Sequence, residues 1–168
     1  MGNRRARQFQ KAEQERLDWQ QVETQGRHIS ESANARGIGF LRLQVICIPS
    51  FEPGNCWEVR SLGEVWRLFR SDASAEGEWL MGYEELEVEA AILRRYMKLL
   101  GILSLPLGLS EEWSMGLDGT QFQLAISSRP NIEVRFRWSE SPPVEWAPLG
   151  VIVREMIEVF GQLPVKQP

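Results

Sequence analysis

From Ile38 onward, apolar and polar residues trade places at a period of two. Leu41, Leu43, Val45 and Cys47 alternate with Arg42, Gln44 and Ile46, which predicts a strand with one wetter face. After a Pro/Gly connection at 49–54, Trp57 and Val59 alternate with Glu58 and Arg60. Leu62-Gly63 permits a tight turn, and residues 64–70 read as a third strand with aromatic and β-branched content. Residues 71–77 read as a loop.

The period then lengthens. Leu86, Ala90, Leu93, Met97 and Leu100 step by four, three, four and three, the spacing of a buried helical stripe. The helix is expected to start near Tyr83 or Glu84, with Glu84, Glu85, Glu87 and Glu89 in its first turns and Arg94, Arg95 and Lys98 toward its end, as the helix dipole prefers. Gly101 and Pro106 close it. Trp113, Met115 and Leu117 suggest a short strand, and Asp118-Gly119 is a hairpin-turn dipeptide. Phe122, Leu124 and Ile126, then Val134, Phe136 and Trp138, predict two more strands, with Arg135 and Arg137 on the opposite face of the last. Ser141-Pro142-Pro143 breaks it. Leu149, Ile152, Met156 and Phe160, supported by Val153 and Ile157, make a final amphipathic helix. The fold class expected is α+β, with a largely antiparallel sheet of about five or six strands and both helices on one face. A βββα unit would then occur twice.

Residues 1–36 lack that periodicity. They are rich in Gln, Arg, Glu and Ala, and read as a solvated, partly helical leader ahead of a single domain at 37–168. The alternative is a helix that docks through Phe9 and Trp19 on the body or on a partner. The leader holds seven Arg and Lys against five acids, a balance of +2, which leaves −6 for the rest of a chain whose formal charge is −4. An acidic body argues against general nucleic-acid binding, which depends on neutralising phosphates. No apolar run approaches the roughly 20 residues of a bilayer span. The basic start is followed by polar residues instead of an apolar core, so no secretory signal is read and a cytoplasmic location is expected.

With one His and two Cys, most metal and nucleophile chemistry is removed, and neither a metal nor a cofactor is expected. Cys47 and Cys56 flank the first connection, where a disulfide is conceivable; in a reducing compartment two buried thiols are the expectation. The glycines show neither GxGxxG nor GxxxxGK[ST] spacing. Asp118, Glu140 and Glu145, near the second hairpin, form the one candidate acid–base set, for a carboxylate-dependent hydrolase. The plainer reading gives Asp118 a turn and Glu145 a helix start.

Seven Trp against two Tyr is a large number for this length. Trp57, Trp113 and Trp138 share the alternation and are assigned to the core. Trp66 shares its parity with Leu68, opposite Val65 and Phe69, so either both faces of that strand are covered or Trp66 belongs to an exposed binding patch. Arg60, Arg67, Arg135 and Arg137 could form a basic stripe. Cross-strand pairing with Glu58, Glu64 and Glu133 into an ordinary exposed sheet face is the favoured reading.

Leu117-Asp118-Gly119-Thr120-Gln121-Phe122, a strand ending in Trp138, and then Pro143-Val144-Glu145-Trp146-Ala147-Pro148-Leu149 together give LDGT-x-aromatic followed by P-x-x-W-x-x-L. This pattern resembles one found in small bacterial α+β proteins, some regarded as immunity-type proteins that neutralise toxins. It covers about the last third of the chain and identifies no functional residues. The resemblance, the charge and the missing chemistry together imply a non-enzymatic binding protein whose acidic surface meets a basic protein partner. The candidate contacts are Glu84, Glu87 and Trp66.

Overall fold

The computed structural model describes residues 38–50, 52–73, 84–106, 119–129 and 132–167, all within the unit Ile38–Pro168. The leader, Trp113, Met115, Leu117 and Asp118 lie outside the described residues. Among the described residues six strands form one sheet: β1 (Phe40–Ile48), β2 (Gly54–Leu62), β3 (Val65–Ala73), β4 (Glu84–Leu86), β5 (Gln121–Arg129) and β6 (Ile132–Ser139). Two helices among the described residues complete an α+β fold, α1 (Ala90–Gly101) and α2 (Ala147–Gly161), the second preceded by a short 3-10 turn at Val144–Trp146. The strand order is β4-β3-β2-β1-β5-β6, and every neighbouring pair is antiparallel. The first four strands run as a meander. The chain then returns after α1 to place β5 beside β1.

Period-two alternation becomes one continuous apolar face. Leu43 and Val45 of β1, Trp57 and Val59 of β2, Leu68 of β3, Leu86 of β4, Leu124 of β5, and Phe136 and Trp138 of β6 join a single buried cluster. Leu93, Tyr96 and Leu100 of α1 and Leu149, Val153, Met156 and Phe160 of α2 cover it, so both helices lie on that face. Burial of each such large side chain is worth roughly 1.5–3 kcal/mol. The helices meet through an edge-to-face contact of Tyr96 with Phe160, 5.6 Å between ring centres, and through Arg95 Nη2, which donates to Glu155 Oε1 at 2.9 Å.

The expected start of the first helix is wrong by about two turns. Glu84, Glu85 and Leu86 form β4, paired with Arg70, Phe69 and Leu68 of β3, and α1 starts only at Ala90 with no acid in its first turn. Leu86 therefore buries itself as a strand residue and not as the head of a helical stripe. Its position satisfies both periods, and the ladder offered by β3 outweighs the helix propensity of the neighbouring glutamates. The same short strand changes the supposed repeat: the described order is four strands and a helix, then two strands and a helix. Tyr96, four residues before Leu100, is the buried α1 position that the stripe missed.

Local chemistry fixes the turns. Gly63 takes φ +61° between β2 and β3, as a tight hairpin requires. Gly39 takes φ +104° just before β1, and a Cβ there would lie 2.8 Å from the Ser61 carbonyl oxygen. That close approach seats the start of β1 against the end of β2.

Candidate functional site

The face of the sheet opposite the helices carries the polar half of each alternation, yet much of it is buried. Arg60 is 0% exposed and Glu58 2%, and Gln44, Ser71, Gln123, Ile46, Cys56 and Phe69 are buried on the same face. Register explains the grouping. Gln44 lies opposite Glu58, Ile46 opposite Cys56 and Gln123, Gln123 opposite Arg137, and Arg60 opposite Arg67.

These residues form a ladder across four strands. Arg60 donates from Nη1 to the Gly39 carbonyl at 2.9 Å and from Nε to Glu58 Oε2 at 2.8 Å. Its Nη2 lies 2.7 Å from the same carboxylate oxygen. Gln44 Nε2 donates to Glu58 Oε1 at 3.0 Å, and Gln123 Nε2 donates to Gln44 Oε1 at 3.4 Å. Arg137 Nε donates to Gln123 Oε1 at 2.9 Å, carrying the chain from β2 through β1 and β5 to exposed Arg137 on β6. Desolvating two charges is costly, and close pairing with further hydrogen bonds offsets that cost. The expectation of an ordinary exposed face is therefore corrected at Arg60 and Glu58, which are paired but buried. Glu133 does pair with Arg135, within its own strand, whereas Glu64 pairs with Arg94 of α1 instead of a strand arginine.

The acidic candidates fare differently from one another. Glu84 sits on β4, where Arg70 Nη2 donates to its Oε2 at 2.8 Å. Glu85 receives Lys166 Nζ at 2.8 Å and lies 3.7 Å from Arg67 Nε. Glu87 and Glu89 stand exposed in the β4–α1 connection and have no ion pair among the described residues. Glu84 and Glu87 thus do not share a helix side, because neither belongs to a helix. Trp66 packs half-buried against the apolar cluster with Leu68, while Phe69 is buried on the other face. At this pair of positions both faces of β3 are covered.

Glu140 follows β6 in a left-handed conformation, φ +59°, and its N–H donates to the Thr120 carbonyl at 2.8 Å. Its carboxyl lies so close to Gly119 that a Cβ there would meet Oε1 at 1.8 Å. Ser50 Oγ bridges the Gly119 N–H and C=O, at 2.6 and 2.7 Å. Glu145 is exposed on the 3-10 turn. Trp146, beside it, donates from Nε1 to the Pro106 carbonyl at 3.0 Å and meets Phe136 edge-on.

No family model matches the chain, and neither a curated protein nor a solved structure matches it.

Their surroundings disfavour the thiolate form at both cysteines. Cys47 and Cys56 are free, and they lie on opposite faces because Ile46, not Cys47, is the partner of Cys56. Burial pushes the Cys47 thiol up to about 11 and that of Cys56 well above its ordinary value, where the Glu58 charge adds to the shift. Among the described residues no group of three or more His, Cys, Asp or Glu side chains could hold a metal. No helix among them is long and apolar enough to cross a membrane.

The residues that sequence reasoning missed are Gln44 and Gln123. Both share the parity of Glu58 or Arg137 once the register is known, but alternation alone does not rank which strands are neighbours.

Proposed function

We propose that this chain is a non-enzymatic protein-binding module that engages a basic protein partner, in the manner of the immunity-type proteins its last third resembles. The observation that carries this reading is the pair Glu87 and Glu89. Both acids are exposed on a short connection held at one end by β4 and at the other by α1. The neighbouring Glu84 and Glu85 are already paired with Arg70 and Lys166, so within residues 84–89 the negative charge left for a partner is that of these two acids. The sheet-to-helix junction keeps the acids on ordered backbone: the Glu87 N–H donates to the Pro164 carbonyl at 2.9 Å.

Such a surface steers a basic partner mainly through the association rate, and salt screens that attraction over about 8 Å at physiological ionic strength. With the partner identified by affinity capture, surface plasmon resonance on Glu87→Lys/Glu89→Lys tests the proposal. The expected result is an association rate reduced at least about tenfold at low salt, with an unchanged circular-dichroism spectrum. An association rate equal to that of the parent, in a folded variant, removes this surface.

A further inference from the structure

The two edges of the sheet are finished differently. At β4 the chain's own C-terminal segment lies alongside: the Glu87 N–H donates to Pro164 O, the Lys166 N–H donates to Glu85 O at 2.8 Å, and Val165 forms a bridge with Leu86. At the other edge β6 is the terminal strand, and among the described residues no strand pairs with its outer side. An outer edge of this kind is a template for another strand unless Pro, charged side chains (Lys above all), a central bulge or a cover blunts it, and charges of opposite sign along the edge can instead pair across it. The eight residues of β6, IEVRFRWS, include neither Pro nor Lys, and the one register shift against β5 falls at the strand's start, between Ser127 and Arg129. Val134, near its middle, is 45% exposed although it shares the parity of buried Phe136 and Trp138.

We infer that β6 is the pairing edge for a second copy of this chain, the two β6 strands running antiparallel about a two-fold axis at Val134. A two-fold contact must be self-complementary, and among the registers centred on residues 133–137 β6 meets that demand in one. Centring on Val134 sets Val134 against its own copy and Glu133 against Arg135 of the second copy, twice. Arg135 already contacts Glu133 of its own strand, so the four charges alternate in sign around the axis. Centring on Glu133, Arg135 or Arg137 would stack like charges on the axis, and centring on Phe136 would set Arg135 against Arg137. Directly opposed like charges are destabilising and opposite charges stabilising. The paired strands would join two six-stranded sheets into one, with the helices of both copies on the same face.

The test uses the full chain. Sedimentation velocity at tens of micromolar should show a dimer. In Val134→Cys, residues across the axis have Cα atoms about 4.5–5.5 Å apart, within disulfide range, so mild oxidation should give a covalent dimer on a non-reducing gel. The parent chain and Val144→Cys, whose site is 87% exposed, should not cross-link. Glu133→Arg should raise the dimer dissociation constant at least about tenfold, and adding Arg135→Glu should restore it. A monomeric parent chain would overturn the proposal. So would a dimer indifferent to Glu133→Arg, or one that Val134→Cys fails to trap more than Val144→Cys does.

Discussion

The helix-covered face of the sheet and the face opposite are built by the same strands, one residue apart, and they are held by different chemistry. On the first, Leu43, Val45, Val59, Leu68 and Leu124 meet Leu93, Met156 and Phe160, and the attraction is removal of apolar surface from water. On the second, Gln44, Glu58, Arg60 and Gln123 occupy the alternate positions of the same strands, equally withdrawn from solvent, and a ladder of hydrogen bonds and one ion pair ties them together. The apolar face tolerates imperfect geometry, because dispersion and burial are not directional. The polar face does not, because a buried charge that loses its partner keeps its desolvation penalty. Among the described residues, Trp57 Nε1 on the apolar face is buried with no hydrogen-bond partner.

The two faces should therefore respond differently to deletion. Glu58→Ala leaves Arg60 buried without its carboxylate and should cost about 3–5 kcal/mol. Leu93→Ala removes a fully buried side chain from the middle of α1 and should cost about 2–5 kcal/mol as a cavity. Denaturant melts check both. A loss below about 0.5 kcal/mol for Leu93→Ala would place that helix face toward solvent, and the same result for Glu58→Ala would mean that the ladder contributes nothing.

A gradient along the ladder sharpens the comparison further. Gln123→Ala removes a buried bridge between Gln44 and Arg137 and should cost about 1–3 kcal/mol. Arg137→Ala, at the solvated end, should cost less than about 1 kcal/mol. Equal costs at both positions would show that burial does not govern the ladder.

Much of this comparison was legible from the residues. Alternation placed Leu43, Val45, Trp57, Val59 and Leu124 on one face, and the two helical stripes supplied its cover. Leu62-Gly63 marked its hairpin correctly. What alternation does not give is the fate of the other parity. Arg60 and Glu58 look the same in sequence on a solvated sheet as on a buried one. Leu86 shows the complementary failure: one residue fits both a period of two and a period near 3.6, and only the ladder of β3 decides between them. Of the proposed site, the run of acids from Glu84 to Glu89 was visible in the sequence. Which acids remain exposed depended on Arg70 and on Lys166, 81 residues from its partner Glu85.

The claim that the second face is held by a coupled buried ion pair meets its most direct test in a double-mutant cycle on Glu58 and Arg60. Stability is measured for Glu58→Met, Arg60→Met and the pair together. Each single change strands a charge, while the double change replaces both with apolar side chains of similar length, so the double variant should cost at least about 2 kcal/mol less than the sum of the singles. Costs that add to within about 0.5 kcal/mol would contradict the account, because two residues that act independently cannot be the pair that holds that face.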